Sequence, residues 1–305
     1  MGMRNPADVR TFAIVAHGGA GKTSLTEAML FDTGAINRMG KVEDGTTTTD
    51  FTPEEQKRQI SINTAVATLR HKGKTLFALD TPGFADFIGD VRSSMRVSDS
   101  AVVVVSGVHG VEVQTEKDWE FAEDFRIPVL FFVSKMDREN ADFDRTVGEL
   151  RKYLSEKAVP LFLPIGKEAS FKGVVDVLSG KAFLYKGDGS KDFIETDAPS
   201  EMADEVQSAR ESLVERIVEA DDELMMRYLD GEQIATEELS KALRTAVAKR
   251  SLFPVFPGSS TANVGICQLL DVLVDVMPSP LEMPPREAQK NGETIQVMPG
   301  LAESF

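Results

Sequence analysis

The feature that most constrains this chain is the glycine-rich stretch at residues 16–23, which directly follows the apolar run 12–16. A strand must end there, the backbone must curl so that successive N–H groups point inward, and a helix must begin beneath them. Glycines permit that path, Lys22 supplies a positive charge for outer phosphates, and the hydroxyl of Thr23 suits a magnesium ion. The pattern predicts a phosphate-binding P-loop, with Ala16 where the strict pattern has glycine.

Length and composition limit what can accompany this loop. With 305 residues, of which 42% are hydrophobic and 27% charged, the chain can form two domains or one domain with a large insertion. No apolar run approaches the length of a membrane span, and the N-terminus is not a secretory signal. The single cysteine, Cys267, excludes an internal disulfide, which fits a reducing compartment. We therefore expect a cytoplasmic monomer with no membrane contact.

The negative charge of the chain is concentrated in one segment. The formal net charge is −15, which argues against simple non-specific binding to nucleic acid. Residues 195–240 carry 15 acidic side chains and 3 arginines, so this segment accounts for −12 of the total. Such a patch is either a solvated helix face or a surface that meets a basic protein.

Strand-like and helix-like segments alternate along most of the chain. Strands are predicted at 11–16, 60–69, 75–79, 101–106, 129–133 and 253–256. Helices are predicted at 22–31 and 265–277, with another that begins at a capping pattern formed by Thr115 and Asp118. The runs at 101–106 and 129–133 are uniformly apolar, as expected for parallel strands covered on both faces. This pattern predicts an α/β fold with a doubly wound sheet, whose site lies at the carboxyl ends of the strands.

Polar motifs follow several of these strands. Segment 80–83 reads Asp-Thr-Pro-Gly and segment 134–137 reads Ser-Lys-Met-Asp. Taken alone, the first is also an ordinary Pro-Gly turn. In a nucleotide site, Thr23 and Ser61 can ligate magnesium while Asp80 supports it through water. The carboxylate of Asp137 can accept hydrogen bonds from two adjacent N–H donors, which guanine presents and adenine does not.

These motifs, in this order, resemble the GTPases of translation, and more closely elongation factor G and its paralogues. The resemblance also includes Asp44-Gly45 and segments 53–58, 94–97, 110–115, 222–225, 228–232 and 270–280. It implies a P-loop NTPase fold, a mostly parallel sheet with helices on both faces and an inserted α+β subdomain. The implied divisions are a GTP-binding domain at 1–280, an acidic insertion at 160–252 within it, and at 281–305 a linker or the start of a truncated second domain.

The resemblance also implies a site for GTP or GDP with Mg²⁺. Around the γ-phosphate it implies Lys22, Ser61, Gly83 and Phe84, and for the metal Thr23, Ser61 and, through water, Asp80. The residues implied to contact nucleotide are Ala16, His17, Gly18, Gly19, Ala20, Gly21, Lys22, Thr23, Ser24, Asp80, Thr81, Pro82, Gly83, Phe84, Ser134, Lys135, Met136, Asp137, Ser259 and Ser260. The implied partner is the ribosome, both its RNA and its stalk protein, the latter meeting the acidic insertion.

Several positions depart from the family pattern. Phe84 stands where a histidine is implied to position the attacking water, and a phenyl ring neither accepts nor donates a hydrogen bond. Phe84 can alternatively serve as core packing. Gly19 replaces a P-loop aspartate, and Ser134 replaces an asparagine, which leaves guanine selectivity mainly to Asp137. Ser61 replaces threonine but keeps its hydroxyl.

Three functions fit these residues. The first is a magnesium-dependent GTPase that hydrolyses GTP on the ribosome, in translocation or a related step. The second is a guanine-nucleotide-dependent ribosome-binding module with little or no hydrolysis, acting in recycling, protection or regulation. The third is an ATP-using P-loop protein. Among the histidines, His17 is expected to shape the P-loop, and His71 and His109 are expected at the surface.

Overall fold

The computed structural model describes residues 5–290 and 292–300 of the chain. Its strands are β1 (Val9–Val15), β2 (Ala65–His71), β3 (Lys74–Asp80), β4 (Ser100–Ser106), β5 (Val129–Ser134), β6 (Ala158–Pro160), β7 (Phe162–Ile165), β8 (Gly173–Asp176), β9 (Lys181–Tyr185), β10 (Phe193–Asp197), β11 (Phe253–Pro257), β12 (Arg286–Lys290) and β13 (Glu293–Val297). Its α-helices are α1 (Lys22–Asp32), α2 (Pro53–Arg58), α3 (Ile88–Val97), α4 (Val113–Phe125), α5 (Phe143–Tyr153), α6 (Ala203–Val218), α7 (Asp222–Leu229), α8 (Thr236–Ala248) and α9 (Ile266–Asp275).

The largest sheet of the described chain has seven strands in the order β2-β3-β1-β4-β5-β11-β6. Only β2 runs antiparallel to its neighbour; the other pairings are parallel. Every residue of β4 and β5 is buried, because helices cover both faces of the sheet at its centre. The predicted doubly wound, mostly parallel fold is therefore confirmed. Parallel pairing brings the carboxyl ends of β1, β3, β4, β5 and β11 to one edge.

The chain between β6 and β11 forms an additional antiparallel subdomain. Strands β7 to β10 pair in the order β10-β9-β8-β7, and helices α6, α7 and α8 follow them. Helices α6 and α8 bury facing apolar residues, among them Leu213 and Leu243. Phe162 of β7 packs against Phe256 of β11 with ring centroids 4.6 Å apart. The subdomain is thus joined to the central sheet by a continuous aromatic contact.

The last described segment, 286–300, contains a short antiparallel hairpin of β12 and β13. Its first residue, Arg286, donates to the backbone carbonyls of Arg96 and Val97, where α3 ends. These bonds hold the hairpin against the body that surrounds the central sheet. None of the helices in the described residues is both long and apolar enough to cross a membrane.

The predicted strand at residues 60–69 is wrong in its first half, since β2 begins only at Ala65. The backbone N–H groups of Ile62 and Asn63 donate instead to the carboxylate of Glu55, at 3.0 and 3.1 Å. Because this buried side chain satisfies those donors, the segment does not need a strand partner. It remains a loop, which leaves Ser61 facing the site described below.

Two predicted helix features also differ from the structure. Helix α4 begins at Val113, and Thr115 accepts from the backbone N–H of Glu112 instead of starting the helix. The apolar stripe predicted to run from Met202 to Leu224 is divided between α6 and α7. Asp221 causes this break, because its carboxylate accepts from the backbone of Leu224 and so caps a new helix.

Candidate nucleotide site

The P-loop joins β1 to α1 with a backbone that needs glycine at two positions. Gly19 and Gly21 have φ of 80° and 106°, in the left-handed region that favours glycine. The Lys22 ammonium lies inside the loop and donates to the carbonyls of Ala16 at 3.0 Å and His17 at 3.2 Å. Burial lowers the pKa of Lys22. Two of its three N–H donors are thereby used to shape the loop, and one is left for a ligand.

Gly83, just after β3, closes the site from the opposite side. A Cβ at Gly83 would collide with the Lys22 ammonium and lie 2.9 Å from Gly18 Cα. The backbone of Gly83 therefore approaches the P-loop as closely as a residue can, and only glycine fits there.

Phe84 lies at the mouth of the same site. Its ring packs over Gly18, so that a Cβ on Gly18 would lie 3.4 Å from Phe84 Cζ. The side chain is 45% exposed, so the alternative interpretation of Phe84 as core packing is wrong. The structure thus places an apolar ring beside the P-loop at a position open to solvent.

A chain of hydroxyls and carboxylates lies below the P-loop. Thr23 Oγ1 and Ser61 Oγ are 3.1 Å apart, and Ser61 donates to Asp50 at 2.7 Å. Two oxygens bound side by side to octahedral Mg²⁺ at about 2.0–2.1 Å lie about 2.9 Å apart, so the two hydroxyls already have the spacing of adjacent ligands. The donors are all oxygen, which is the set that Mg²⁺ prefers. These residues therefore fit the implied metal.

Asp80 has the same fit to a metal-bound water. Its Oδ2 accepts from Thr49 at 2.7 Å, whereas its buried Oδ1 has no hydrogen-bond partner among the described residues. Burial raises the pKa of Asp80 from 3.8 to about 6, against the opposing hydrogen bond from Thr49 and the charge of Lys22. A carboxylate held in this way is under-satisfied until a donor reaches Oδ1.

Asp50 is a site residue that the sequence reasoning missed. It is buried, it accepts from both Ser61 and Thr47, and its burial raises its pKa. The available signal was its position directly after four threonines in an unusually long polar segment, 33–59. That segment folds over the site, since Thr49 and Asp50 both reach the hydroxyl and carboxylate chain.

The other end of the site is built from the loops after β5 and β11. Asp137 Oδ1 and Ser260 Oγ are buried and lack hydrogen-bond partners among the described residues. The amide of Met136 donates to the Gly258 carbonyl at 3.3 Å, which joins the two loops. Ser134 Oγ donates to the carbonyl of Ala20 at 2.7 Å. Ser134 is thus a brace of the P-loop, a role that the sequence did not indicate.

A cavity of about 740 Å³ connects these parts. Most of the implied site residues line it: Gly18, Gly19, Ala20, Gly21, Lys22, Thr23, Ser24, Ser61, Gly83, Phe84, Ser134, Lys135, Ser259 and Ser260. The remaining ones support the walls from behind: Ala16, His17, Asp80, Thr81, Pro82, Met136 and Asp137. The lining residues that the sequence reasoning did not single out as nucleotide contacts are Val42, Glu43, Asp50, Gln59, Ile60, Val108, His109, Arg138, Glu139 and Thr261.

Comparison with known proteins assigns the family of this fold and site. The family model described as the elongation factor Tu GTP binding domain matches residues 7–279. The chain belongs to this family. The resemblance to the translational GTPases drawn from the motifs is thereby confirmed, and proteins of this family bind GTP or GDP.

A solved structure from Thermus thermophilus, of an elongation factor G-like protein, resembles this GTP-binding domain throughout. It aligns with a TM-score of 0.85 and 40% sequence identity over 92% of this chain. The alignment covers only 42% of the Thermus protein, so the chain spans well under half of that protein's length. The common part includes both the sheet and the additional antiparallel subdomain.

The histidines of the GTP-binding domain occupy two environments. His17, in the P-loop, pairs with Glu112 at 2.5 Å, and burial lowers the pKa of His17. His109 is exposed, as expected from the sequence. His71 is half-buried and pairs with Asp271 at 2.5 Å, so the expectation of a surface residue is wrong there.

Proposed function

We propose that this domain binds GTP with Mg²⁺ and hydrolyses it to GDP and phosphate on the ribosome, in an elongation factor G-like step. One observation carries the proposal: three buried oxygens that lack partners among the described residues surround one cavity. They are Asp80 Oδ1, Asp137 Oδ1 and Ser260 Oγ, and each belongs to a different motif. Buried polar atoms are almost always hydrogen-bonded, so three exceptions around one cavity support a polar ligand that reaches all three loops.

The residues divide the work along the cavity. The free N–H of Lys22 and the amides of the P-loop would hold the outer phosphates, and the Gly83 amide lies where a γ-phosphate would contact it. Thr23 and Ser61 would ligate Mg²⁺, with Asp80 orienting a bound water. The metal would neutralise charge on the phosphates during transfer.

The base end would select guanine through Asp137. Its unpartnered Oδ1 can accept from the adjacent N–H donors of guanine, whereas adenine offers no such pair. Ser134 already donates to Ala20, so it contributes to the P-loop and not to the base. Selectivity between GTP and ATP would therefore rest on one carboxylate.

Phe84 favours a second candidate function. An aromatic ring beside Gly18 cannot position water, so the domain alone would hydrolyse GTP slowly. A guanine-nucleotide-dependent ribosome ligand with little hydrolysis, acting in recycling, protection or regulation, would use the same binding residues. The two functions differ only in whether the ribosome supplies the missing catalytic help.

The remaining assignments are also proposals. The GTP-binding domain would span 1–280 and include the acidic insertion at 160–252, with 281–305 leading into a further domain. The acidic helices α6 and α7 would meet the ribosomal stalk protein, while other surfaces would meet ribosomal RNA. The protein would act in the cytoplasm as a monomer.

GTP turnover measured with and without ribosomes tests the proposal. We expect Mg²⁺-dependent turnover that ribosomes stimulate, and a preference for GTP over ATP in competition binding. Asp137→Ala should abolish that preference while leaving the phosphate contacts intact. If ribosomes give no stimulation although Phe84→His turns over GTP rapidly, the binding-module function replaces hydrolysis. If ATP competes as well as GTP, the guanine site itself is refuted.

A further inference from the structure

Three side chains beside the P-loop form a cluster that the nucleotide site does not use. They are His17, His109 and Glu112, and one nitrogen or oxygen atom from each lies within 4.8 Å of the other two. Each of these atoms is a donor that borderline metals accept, namely imidazole nitrogen or carboxylate oxygen. The cluster differs in chemistry from the hydroxyl and carboxylate chain around Thr23.

The cluster is rigidly supported. His17 follows β1, and the loop carrying His109 and Glu112 follows β4; these two strands are adjacent and parallel. The side-chain oxygen of Ser106 accepts from the backbone of His109, and a second bond joins the backbone of Gly110 to the Ser106 carbonyl.

The same loop is fastened from its other side by α5. Arg145 donates to the carbonyls of Gly107 and Val108 at 2.8 and 2.7 Å, and Glu149 accepts from the amide of Val111 at 2.9 Å. The backbone of the cluster is therefore fixed before any ligand binds, which lowers the entropic cost of binding one.

We propose that His17, His109 and Glu112 form a binding site for a divalent transition metal of the Zn²⁺ class. Zinc takes three protein ligands and one water in open tetrahedral sites, and two histidines with one glutamate is an established ligand set. With bonds of about 2.0–2.2 Å, tetrahedral ligand atoms lie about 3.4 Å apart. The present separations, from 2.5 Å for the His17–Glu112 pair to at most 4.8 Å, require side-chain shifts of about 1 Å.

The charges around the cluster favour and oppose the metal. Glu112 supplies a negative charge, and the metal would replace the proton now shared between Glu112 and His17. The ammonium groups of Lys22 and Lys135 act on His17 from the P-loop side and oppose a cation. Because His109 is exposed, a metal can enter from solvent without opening the nucleotide cavity.

Zn²⁺ titration of the full-length protein, in competition with a chromogenic chelator and with Mg²⁺ in excess, tests this site. We expect one Zn²⁺ per chain and an affinity that falls by about 100-fold or more in His109→Ala. Loss of even an outer-sphere partner typically costs about 10–100-fold. Glu112→Gln should weaken binding in the same direction. A rise of the melting temperature with Zn²⁺ in the wild type, absent in His109→Ala, is expected as a second readout.

Matched controls come from the chain itself. His71, the only histidine outside the cluster, and Cys267, the only thiol, should both be replaceable by Ala and Ser without loss of Zn²⁺ affinity. The proposal is overturned if folded His109→Ala and Glu112→Gln proteins bind Zn²⁺ like the wild type. It is equally overturned if wild-type binding is no tighter than that of the double variant. The His17–Glu112 contact would then be an ion pair that braces the P-loop.

Discussion

Asp80→Asn tests whether the site is built for a cation at the expense of stability. In the absence of nucleotide and metal, Asp80 is a buried carboxylate with one oxygen that lacks a hydrogen-bond partner among the described residues. Its Oδ2 accepts from Thr49, a bond that the amide oxygen of asparagine can also accept. The substitution therefore removes the charge while it keeps the shape and one hydrogen bond.

The magnitude follows from the pKa. Burial raises the pKa of Asp80 from 3.8 to about 6, so ionising it in the folded protein costs about 3 kcal/mol more than in the unfolded chain. Because the folded-state pKa is the higher one, this group favours the fold at low pH. That contribution is lost as the pH rises through about 6. About 1.4 kcal/mol of the loss falls between pH 5 and pH 8.

Urea denaturation at pH 5 and pH 8, in EDTA and without nucleotide, measures this effect. Asp80→Asn should be more stable than the wild type at pH 8 by about 1–2 kcal/mol, since its buried amide returns part of the gain. The difference between the two proteins should shrink towards pH 5. Nucleotide binding in Mg²⁺ should weaken in the same variant. Superimposable pH profiles for the two proteins would refute the reasoning, and so would unchanged Mg²⁺-dependent affinity.

Three other substitutions probe the remaining walls of the site. Phe84→His should raise GTP turnover by roughly 100-fold while Phe84→Leu leaves it unchanged; equal rates in both would show that the ring does not limit hydrolysis. Gly83→Ala should weaken GTP binding by about tenfold or more, because overpacking costs about 1–3 kcal/mol, whereas Gly89→Ala, with open space around its Cβ, should bind normally. Ser134→Ala should lower the free energy of unfolding by about 1–2 kcal/mol, since the Ala20 carbonyl loses its donor; an unchanged value in thermal or urea denaturation would contradict the bracing role.

The central sheet was predictable because its signals are local. Strands β4 and β5 are uniformly apolar runs, and the glycine-rich stretch fixes where β1 ends and α1 begins. The wrong predictions arose where a distant side chain satisfied the backbone. Glu55 receives the amides of the segment around Ser61, and Asp221 starts a helix inside an apolar stripe. Hydrophobic periodicity contains no information about either bond.

The polar site was predictable in its motifs and not in its connections. Thr23, Asp80 and Asp137 stand at fixed points of recognisable patterns, so their types could be read directly. Asp50 comes from a long polar segment without periodicity, and only the fold brings it to Ser61. Ser134 occupies a motif position, but its hydrogen bond runs to a P-loop carbonyl 114 residues away in sequence.

The same principle explains why the site and the stability of the domain oppose each other. Three oxygens around the cavity lack partners among the described residues, and each unsatisfied buried group typically costs about 1–3 kcal/mol. A fold that needed only stability would pair these oxygens internally, as Glu55 does with three backbone amides. A ligand that satisfies Asp80, Asp137 and Ser260 together therefore recovers a cost already present in the fold. Nucleotide should accordingly raise the melting temperature of the wild type more than that of Asp137→Ala, and equal shifts in thermal denaturation would separate stability from the guanine contact.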